Sequence, residues 1–315
     1  MSPPVIIAGH YCHDTLYLAN GTRSEALGGS VAYITSVLNA LDIECTVVSK
    51  VGSDFGYLSQ ITHAPRVVSG APTTQYISDF TLGERVGRVG AVCEPIFLED
   101  LADSDAETDA DTNADTNADT NANADTYTGP ASRPLNSFTY EIALAVGIVG
   151  EVLPETLLGL AAQSRYLLCD VQGLIRSIDP VGRVTCKPLR DTPFYEHIGR
   201  ISFLKASRQE AEFIEIEEIR QRTCLLVTEG DQGCTVYLKN REFRVPAFSA
   251  VELDPTGAGD CFLAGFSVGL LQGLALDSAV KLGNYYGALA VAQVGVPIPS
   301  LIRKSIPSLP YLYSA

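Results

Sequence analysis

The 315-residue chain reads as an α/β protein: a mainly parallel, doubly wound sheet with helices on both faces and a small β-sheet beside it. Short apolar runs ending at a Gly or polar residue recur, as in Val5-Ile-Ile-Ala-Gly9, Tyr166-Leu-Leu-Cys-Asp-Val171 and Cys224-Leu-Leu-Val-Thr228. Strands buried on both faces have this pattern. Helical stretches alternate with them, which gives parallel strands covered on both sides. Residues 73–93 differ, being β-rich but interrupted by Gly83, Gly87 and Gly90, and suit a separate sheet.

Taken in order, Val5–Gly9 is a buried first strand. Thr15-Leu-Tyr-Leu-Ala-Asn-Gly21 alternates and ends in Asn-Gly, a hairpin signal. Gly28-Gly-Ser-Val-Ala-Tyr33 opens a helix through about Leu41, and Cys45–Gly52 is a second core strand. Pieces near 14–22 and 73–93 form the small sheet. Residues 103–136 repeat Asp-Thr-Asn-Ala and are polar and acidic. Such a tract cannot bury enough surface to offset ordering, so it is read as a disordered insert within a single domain spanning 1–315. It lacks the Gly turns of calcium-binding loops. Tyr140–Ile148 is a strand, Leu153–Gln163 a helix, and Tyr166–Val171 and Ile201–Lys205 further strands. A helix starts at Ser207, Cys224–Thr228 is a strand, and Thr235–Leu238 with Phe243–Val245 makes a hairpin. Two helices follow, from Gly257 and from Asp277.

Composition narrows the function. The net charge is −15, but eight of the acidic residues lie between 103 and 125, leaving about −7 elsewhere. No basic patch favours nucleic acid. The eight cysteines are scattered without a Cys-x-x-Cys pair, as reduced thiols of an intracellular protein are. The N-terminus lacks a charged region followed by a long apolar one, and no apolar run reaches a membrane span. A cytoplasmic protein without membrane partners is expected.

The chemistry centres on Asp254-Pro-Thr-Gly-Ala-Gly-Asp260, which leads into the apolar stretch Cys261–Leu271. Gly257, Ala258 and Gly259 let a ligand approach the backbone, and a helix N-terminus offers unpaired amides to an anion. Asp260 falls in the first helical turn, beside any phosphate held there. A carboxylate is badly placed to bind that phosphate and well placed to take a proton from an attacking hydroxyl. The spacing points to phosphoryl transfer, with Asp260 as base and the 257–259 amides as an anion hole. No Gly-x-x-x-x-Gly-Lys-Ser/Thr loop occurs, and Gly9-His-Tyr-Cys is not a dinucleotide-binding turn.

Asp254–Asp260, with Ala264-Gly-Phe-Ser267, resembles the C-terminal signature of the ribokinase-like (PfkB) carbohydrate kinases. The resemblance implies ATP and Mg²⁺ as cofactors and a small-molecule hydroxyl as acceptor. Asp14 resembles the family's substrate-binding Asp. Gly28-Gly29 and Lys50–Gly56 resemble its N-terminal signature. Lys205-Ala-Ser-Arg-Gln-Glu210 resembles the segment whose Glu acts through water on Mg²⁺. Thr228-Glu-Gly230-Asp-Gln-Gly233 resembles the nucleotide loop, and Asn284 falls at the adenine pocket. The small sheet would be a lid over the substrate. Tyr33 and Ser207 stand where the family usually has Asn, and the stretch from Gly56 to Thr73 is short. With Val149–Thr156 and Gln172-Gly-Leu-Ile-Arg176, these departures resemble the plant inositol 3-kinase branch.

A polyol such as myo-inositol is therefore the expected substrate. Asp14 would grip adjacent hydroxyls, and the Tyr33 ring would supply a flat face. The alternatives are fructose, ribose or adenosine as acceptor, or a non-catalytic relative; the intact Gly-Ala-Gly-Asp loop speaks against the last. Lys50 fits either a substrate contact or a surface charge. Arg176 fits either an ion pair or a phosphate contact. His10 and His13 are read as polar residues beside the substrate rather than as metal ligands.

Overall fold

The computed structural model describes residues 3–17, 20–79, 81, 86–102, 138–297 and 299–305. The acidic repeat of 103–136 lies outside them.

The chain opens with β1 (Val5–Ala8), then the hairpin β2 (Cys12–Tyr17) and β3 (Arg23–Gly28), then α1 (Ser30–Ala40). β4 (Cys45–Val48), β5 (Lys50–Gly52) and β6 (Arg66–Val68) follow, then β7 (Gln75–Asp79) and β8 (Val86–Ala91). Next come β9 (Tyr140–Ala145), α2 (Pro154–Gln163), β10 (Ser164–Asp170), α3 (Gln172–Ile175), β11 (Arg176–Ile178) and β12 (Val184–Cys186). β13 (Phe203–Ser207), α4 (Ile216–Ile219), β14 (Cys224–Thr228), β15 (Cys234–Tyr237) and β16 (Glu242–Val245) complete the strands. Three helices follow: α5 (Ala258–Leu271), α6 (Leu276–Val291) and α7 (Pro299–Ser305).

The main sheet runs β16-β15-β14-β13-β10-β9-β1-β4. β14 through β4 are parallel, and β15 and β16 are antiparallel at one edge. Side chains alternate between two cores, as strand geometry requires. Val5 and Ile7 face α1, α5 and α6, while Ile6 and Ala8 face the side of α2 and α3. α5 is apolar all round and lies against α6 so closely that a Cβ on Gly269 would stand 2.7 Å from Ala279 Cα. That packing anchors the helix whose first turn carries Asp260. A second sheet, β3-β2-β7-β8, brings Asp14 and Tyr76 towards the carboxyl ends of the main strands.

Two expectations are corrected. Cys45–Gly52 is not one strand. Pairing with β1 ends at Val48, the Ser49 carbonyl accepts the Arg66 amide at 2.8 Å, and Lys50–Gly52 pairs with β6 instead. Ser207 does not open a long helix. Glu210–Phe213 is a single 3₁₀ turn, and α4 is four residues long. Glu210 Oε2 accepts the Ser207 amide and hydroxyl, each at 2.8 Å, which fixes the turn. Within and beyond it, Glu212, Glu215, Glu217 and Glu218 crowd like charges among β-branched residues, a poor sequence for continuing a helix. The β11–β12 hairpin is an addition the sequence analysis did not foresee; it bridges to β8 through Arg183 and Arg88.

Candidate active site

α5 starts at Ala258, with Gly257 as its N-cap at φ 75°, a left-handed conformation that a side chain would strain. A Cβ on Gly257 would also lie 2.0 Å from Tyr33 Cδ1, so this loop rests directly on the Tyr33 ring. The Ala258 amide makes a 3.3 Å bond to the Pro255 carbonyl. As in any helix, the first-turn amides lack i−4 partners and carry the positive end of the dipole.

Two cavities meet at this helix end. The larger, about 650 Å³, is lined by Asp14, Tyr76, Gln172, Arg176, Lys205 and Asp260, among others. The smaller, about 420 Å³, is lined by Thr228, Gly230, Gly233, Phe248, Ala258 and Asn284, among others. Gly259 borders both. A Cβ there would come 2.5 Å from Lys205 Nζ, so the ammonium sits against the loop backbone.

Charge is concentrated behind that contact. Lys205 Nζ pairs with Asp170 Oδ2 at 2.8 Å, both residues buried. Burial works against the ammonium, but Asp170, Glu210 and Asp260 outweigh it and hold its pKa above lysine's usual value. Arg176 Nη2 lies 3.3 Å from Glu210 Oε1. Burial disfavours the Glu210 carboxylate, yet Lys205, Arg176 and the Ser207 bonds keep its pKa below the ordinary range. Asp260 goes the other way. Burial, then the Asp170 charge, pushes its pKa up to about 6, against the pull of Lys205, Ser30 and Arg176. Its Oδ1 is shielded from solvent and has no hydrogen-bond partner. A base with a pKa near neutrality, beside buried cations and a helix N-terminus, suits proton removal coupled to transfer of an anionic group.

The pattern of the pfkB family carbohydrate kinases matches residues 187–302, which carry both the Lys205–Glu210 turn and the Asp260 loop. The chain is 37% identical over 301 residues to the inositol 3-kinase of Arabidopsis thaliana, covering 93% of this chain and 75% of that protein. The chain belongs to the pfkB family of carbohydrate kinases. It is thus a phosphotransferase with a hydroxyl acceptor. Solved pfkB-type structures share the fold. A pyrophosphate-dependent kinase in the ribokinase family, complexed with a pyrophosphate analog and myo-inositol, superposes with a TM-score of 0.72 at 18% identity, covering 96% of this chain and all of the other. Fructokinase with bound ATP from Xylella fastidiosa gives a TM-score of 0.68 at 17% identity over 96% and 98% of the two chains.

In this pfkB kinase the sequence-derived residues fall into groups. Asp14, Gly29, Tyr33, Arg176, Lys205, Ser207, Glu210, Gly257 and Asp260 border the larger cavity. Thr228, Gly230, Gly233, Asn284 and Ala258 border the smaller. Gly28 stands behind Asp14, where a Cβ would be 2.0 Å from the carboxyl carbon, so its role is to leave room for that side chain. Lys50 is not brought to either cavity, nor is it a surface charge. It is buried, 2.7 Å from Asp100 and 3.0 Å from Glu94. His10 is also interior, with its pKa pushed down to about 3 by burial and then by Lys50. His13 lies 3.6 Å from Asp54. Neither histidine borders the larger cavity, contrary to expectation.

The sequence places Asp170 among the residues that can converge at the strand ends but gives it no role, and it assigns none to Ser30, Gln172, Tyr76 or Phe248. Asp170 carried a signal, as the last residue of a buried strand. Ser30 carried a weaker one, directly after Gly28-Gly29. Among the described residues no three His, Cys, Asp or Glu side chains gather as a metal-ligand set.

Proposed function

We propose that this kinase transfers the γ-phosphate of ATP to a hydroxyl of a cyclic polyol, myo-inositol, with Asp260 as general base and the Gly257–Gly259 amides as anion hole. The observation that carries this reading is the position of Asp260, with one unpartnered carboxylate oxygen in the first turn of α5, where Gly259 borders both cavities.

The smaller cavity supports a nucleotide donor. Phe248, Phe262 and Val291 give it apolar walls for a planar base. Pyrophosphate would have no use for those walls. The Asn284 amide donates to the Val245 and Pro246 carbonyls at 3.0 Å each, which holds one wall in place. The larger cavity supports a polyol. Asp14, Gln172, Arg176 and Tyr76 surround it with hydrogen-bonding groups, and Asp14 and Tyr76 arrive from the small sheet, which acts as a lid. The identity shared with inositol 3-kinase favours a ring polyol among such acceptors. The Tyr33 ring, committed to supporting Gly257, is not counted as a stacking surface.

In the reaction, the acceptor hydroxyl gives its proton to Asp260 and attacks the γ-phosphorus of ATP in line, while the bond from that phosphorus to the β-phosphate oxygen breaks and ADP leaves. Lys205 and the loop amides stabilise charge on the group in transfer. Glu210 fits a magnesium site through water, since its oxygens already accept from Ser207 and Arg176. Mg²⁺ keeps several waters and binds phosphates directly, and when bound it neutralises phosphate charge. Lid closure excludes water and suppresses wasteful hydrolysis.

The test is initial-rate kinetics at sub-saturating acceptor with Mg²⁺ and either ATP or pyrophosphate. The kcat/KM for myo-inositol is expected to exceed that for fructose, ribose or adenosine at least roughly tenfold, about 1.4 kcal/mol. Asp260→Asn is expected to lose on the order of 10²–10⁴ in kcat while retaining ATP binding. Faster turnover of fructose, ribose or adenosine would overturn the acceptor. Turnover with pyrophosphate alone would overturn the donor, and near-normal kcat in Asp260→Asn would remove the base.

A further inference from the structure

The loop between β14 and β15 is a single 3₁₀ turn, Gly230–Gln232, and Gly230, Asp231 and Gly233 border the smaller cavity. A turn this short is held by few bonds of its own. The Gln232 amide donates to the Glu229 carbonyl at 3.1 Å, and the Glu229 amide donates to the Gly233 carbonyl at 2.7 Å. Gly233 has φ 93°, and a Cβ there would stand 2.1 Å from the Val245 carbonyl, so the loop is pressed against the end of β16. Glu229 is not among the residues lining either cavity, yet its side chain gathers the surroundings of this loop. Its Oε2 lies 2.8 Å from Arg244 Nη2 and accepts the Thr235 hydroxyl at 3.0 Å. Its Oε1 accepts from Arg208 Nη2 at 3.2 Å. Arg244 and Thr235 are cross-strand neighbours on β16 and β15. Arg244 also donates from Nε to the Gln232 carbonyl at 3.0 Å. One guanidinium therefore grips the loop twice, at the carboxylate before it and at a carbonyl within it. Exposed ion pairs contribute little singly, but this carboxylate side chain is only 18% exposed and has three donors, and the planar guanidinium fixes both of its bonds in one geometry.

We infer that Glu229 is a positioning residue for the phosphate donor: with Arg244 and Thr235 it braces the Gly230–Gly233 loop in the shape that walls the smaller cavity. This rests on the smaller cavity being the ATP site. A loop that has to order itself when the donor arrives binds it more weakly, because the ordering opposes binding. A braced loop is ordered beforehand. The effect falls on the donor, because Asp14, Gln172 and Asp260 border the other cavity. Arg208 differs from Arg244. Its own amide already donates to the Thr228 carbonyl at 2.9 Å, which continues the pairing of β13 with β14, and its side chain is the more exposed of the two.

The experiment measures the Kd for MgATP by isothermal titration calorimetry, with steady-state kinetics on the same full-chain proteins: wild type, Glu229→Ala, Arg244→Ala, the double variant and Arg208→Ala. Kd and KM for MgATP are expected to rise roughly tenfold in Glu229→Ala and roughly fivefold in Arg244→Ala, with kcat and the KM for myo-inositol within about twofold of wild type. The double variant should bind about as Glu229→Ala does, since the two residues act through one contact. Arg208→Ala removes an equal charge from the same carboxylate without freeing the Gln232 carbonyl, and should stay within about twofold of wild type. Arg244 is exposed on the edge strand, so its variant carries the test if Glu229→Ala does not fold. An unmoved Kd in either Glu229→Ala or Arg244→Ala, with wild-type binding intact, would overturn the brace and leave the ATP site standing. An equal rise in Arg208→Ala and Arg244→Ala would mean that charge alone is felt, and a KM for myo-inositol raised in step with that for MgATP would mean a general loosening of the fold; each overturns the brace. Wild type that binds no MgATP would overturn the ATP site and the brace with it.

Discussion

In the proposed reaction the ionisation of Asp260 decides what the site can do at a given pH. A general base works only when deprotonated, and burial with Asp170 beside it raises this pKa to about 6. The rate is therefore full above that value and falls about tenfold per unit below it. A kcat/KM profile from about pH 5 to 8 should show an acid limb near 6. A limb near an unperturbed carboxylate, about 4, would mean that Asp260 is open to water in solution or is not the group titrating. Lys50 shows the limit of reading one residue at a time. Its place in Lys50–Gly56, which resembles the family's N-terminal signature, made it a candidate substrate contact. Its ammonium is instead consumed by Asp100, Glu94 and the Pro95 carbonyl, and lies 4.4 Å from the centre of the Phe97 ring. Partners some 45 residues away leave no local mark in the sequence. The proposed base, by contrast, could be named from the sequence because the residues that suggest it are seven consecutive ones, Asp254–Asp260.

At the scale of the element, α5 joins the core to the chemistry. Its apolar sequence and the glycines before it announced both a buried helix and an open N-terminus. They did not announce that the Tyr33 ring fills the space a Gly257 side chain would need. Gly257→Ala therefore meets two obstacles, positive φ and the ring, the first alone costing roughly 1–2 kcal/mol. The expected result is kcat reduced at least about tenfold and a melting temperature lower by several degrees. Adding Tyr33→Ala should recover part of the stability and little of the turnover, since the φ strain stays. Wild-type kcat in Gly257→Ala would show that the loop's conformation is not needed. Two other elements were misread for physical reasons. Ser207-Arg-Gln-Glu210 has the sequence of a helix start, but its serine–glutamate bonds close a single turn and the acidic, β-branched run behind it ends there. The β11–β12 hairpin did carry a signal, Asp179-Pro-Val-Gly182, in which Asp179 Oδ1 accepts the Val181 and Arg183 amides.

Across the whole molecule, order along the chain is what the sequence conveyed best. Apolar runs of strand length fall on one parallel sheet, so the residues at their carboxyl ends had to converge, and most of the candidate site follows from that rule. What could not be read was which side chains then neutralise one another, because pairs such as Lys205–Asp170 depend on neighbouring strands in the sheet. The acidic repeat enters the same picture from its flanks. On one side Asp100 pairs with Lys50 and Arg66, and Leu101 is fully buried. On the other, Tyr140 begins a central strand and is 2% exposed. Both flanks are thus anchored by contacts among the described residues, and the composition of 103–136 offers little to bury. Replacing those residues with a flexible linker of about six residues should leave kcat, KM and cooperative unfolding nearly unchanged. Shortening the loop in this way lowers its closure entropy cost by about 1.5 kcal/mol, so a slightly higher melting temperature is expected if the linker spans the gap without strain. Thermal unfolding and steady-state kinetics on the deletion variant check this directly. A melting temperature lower by more than about 5 °C would mean that the repeat packs on the fold, and lost turnover with unchanged unfolding would mean that it serves the site.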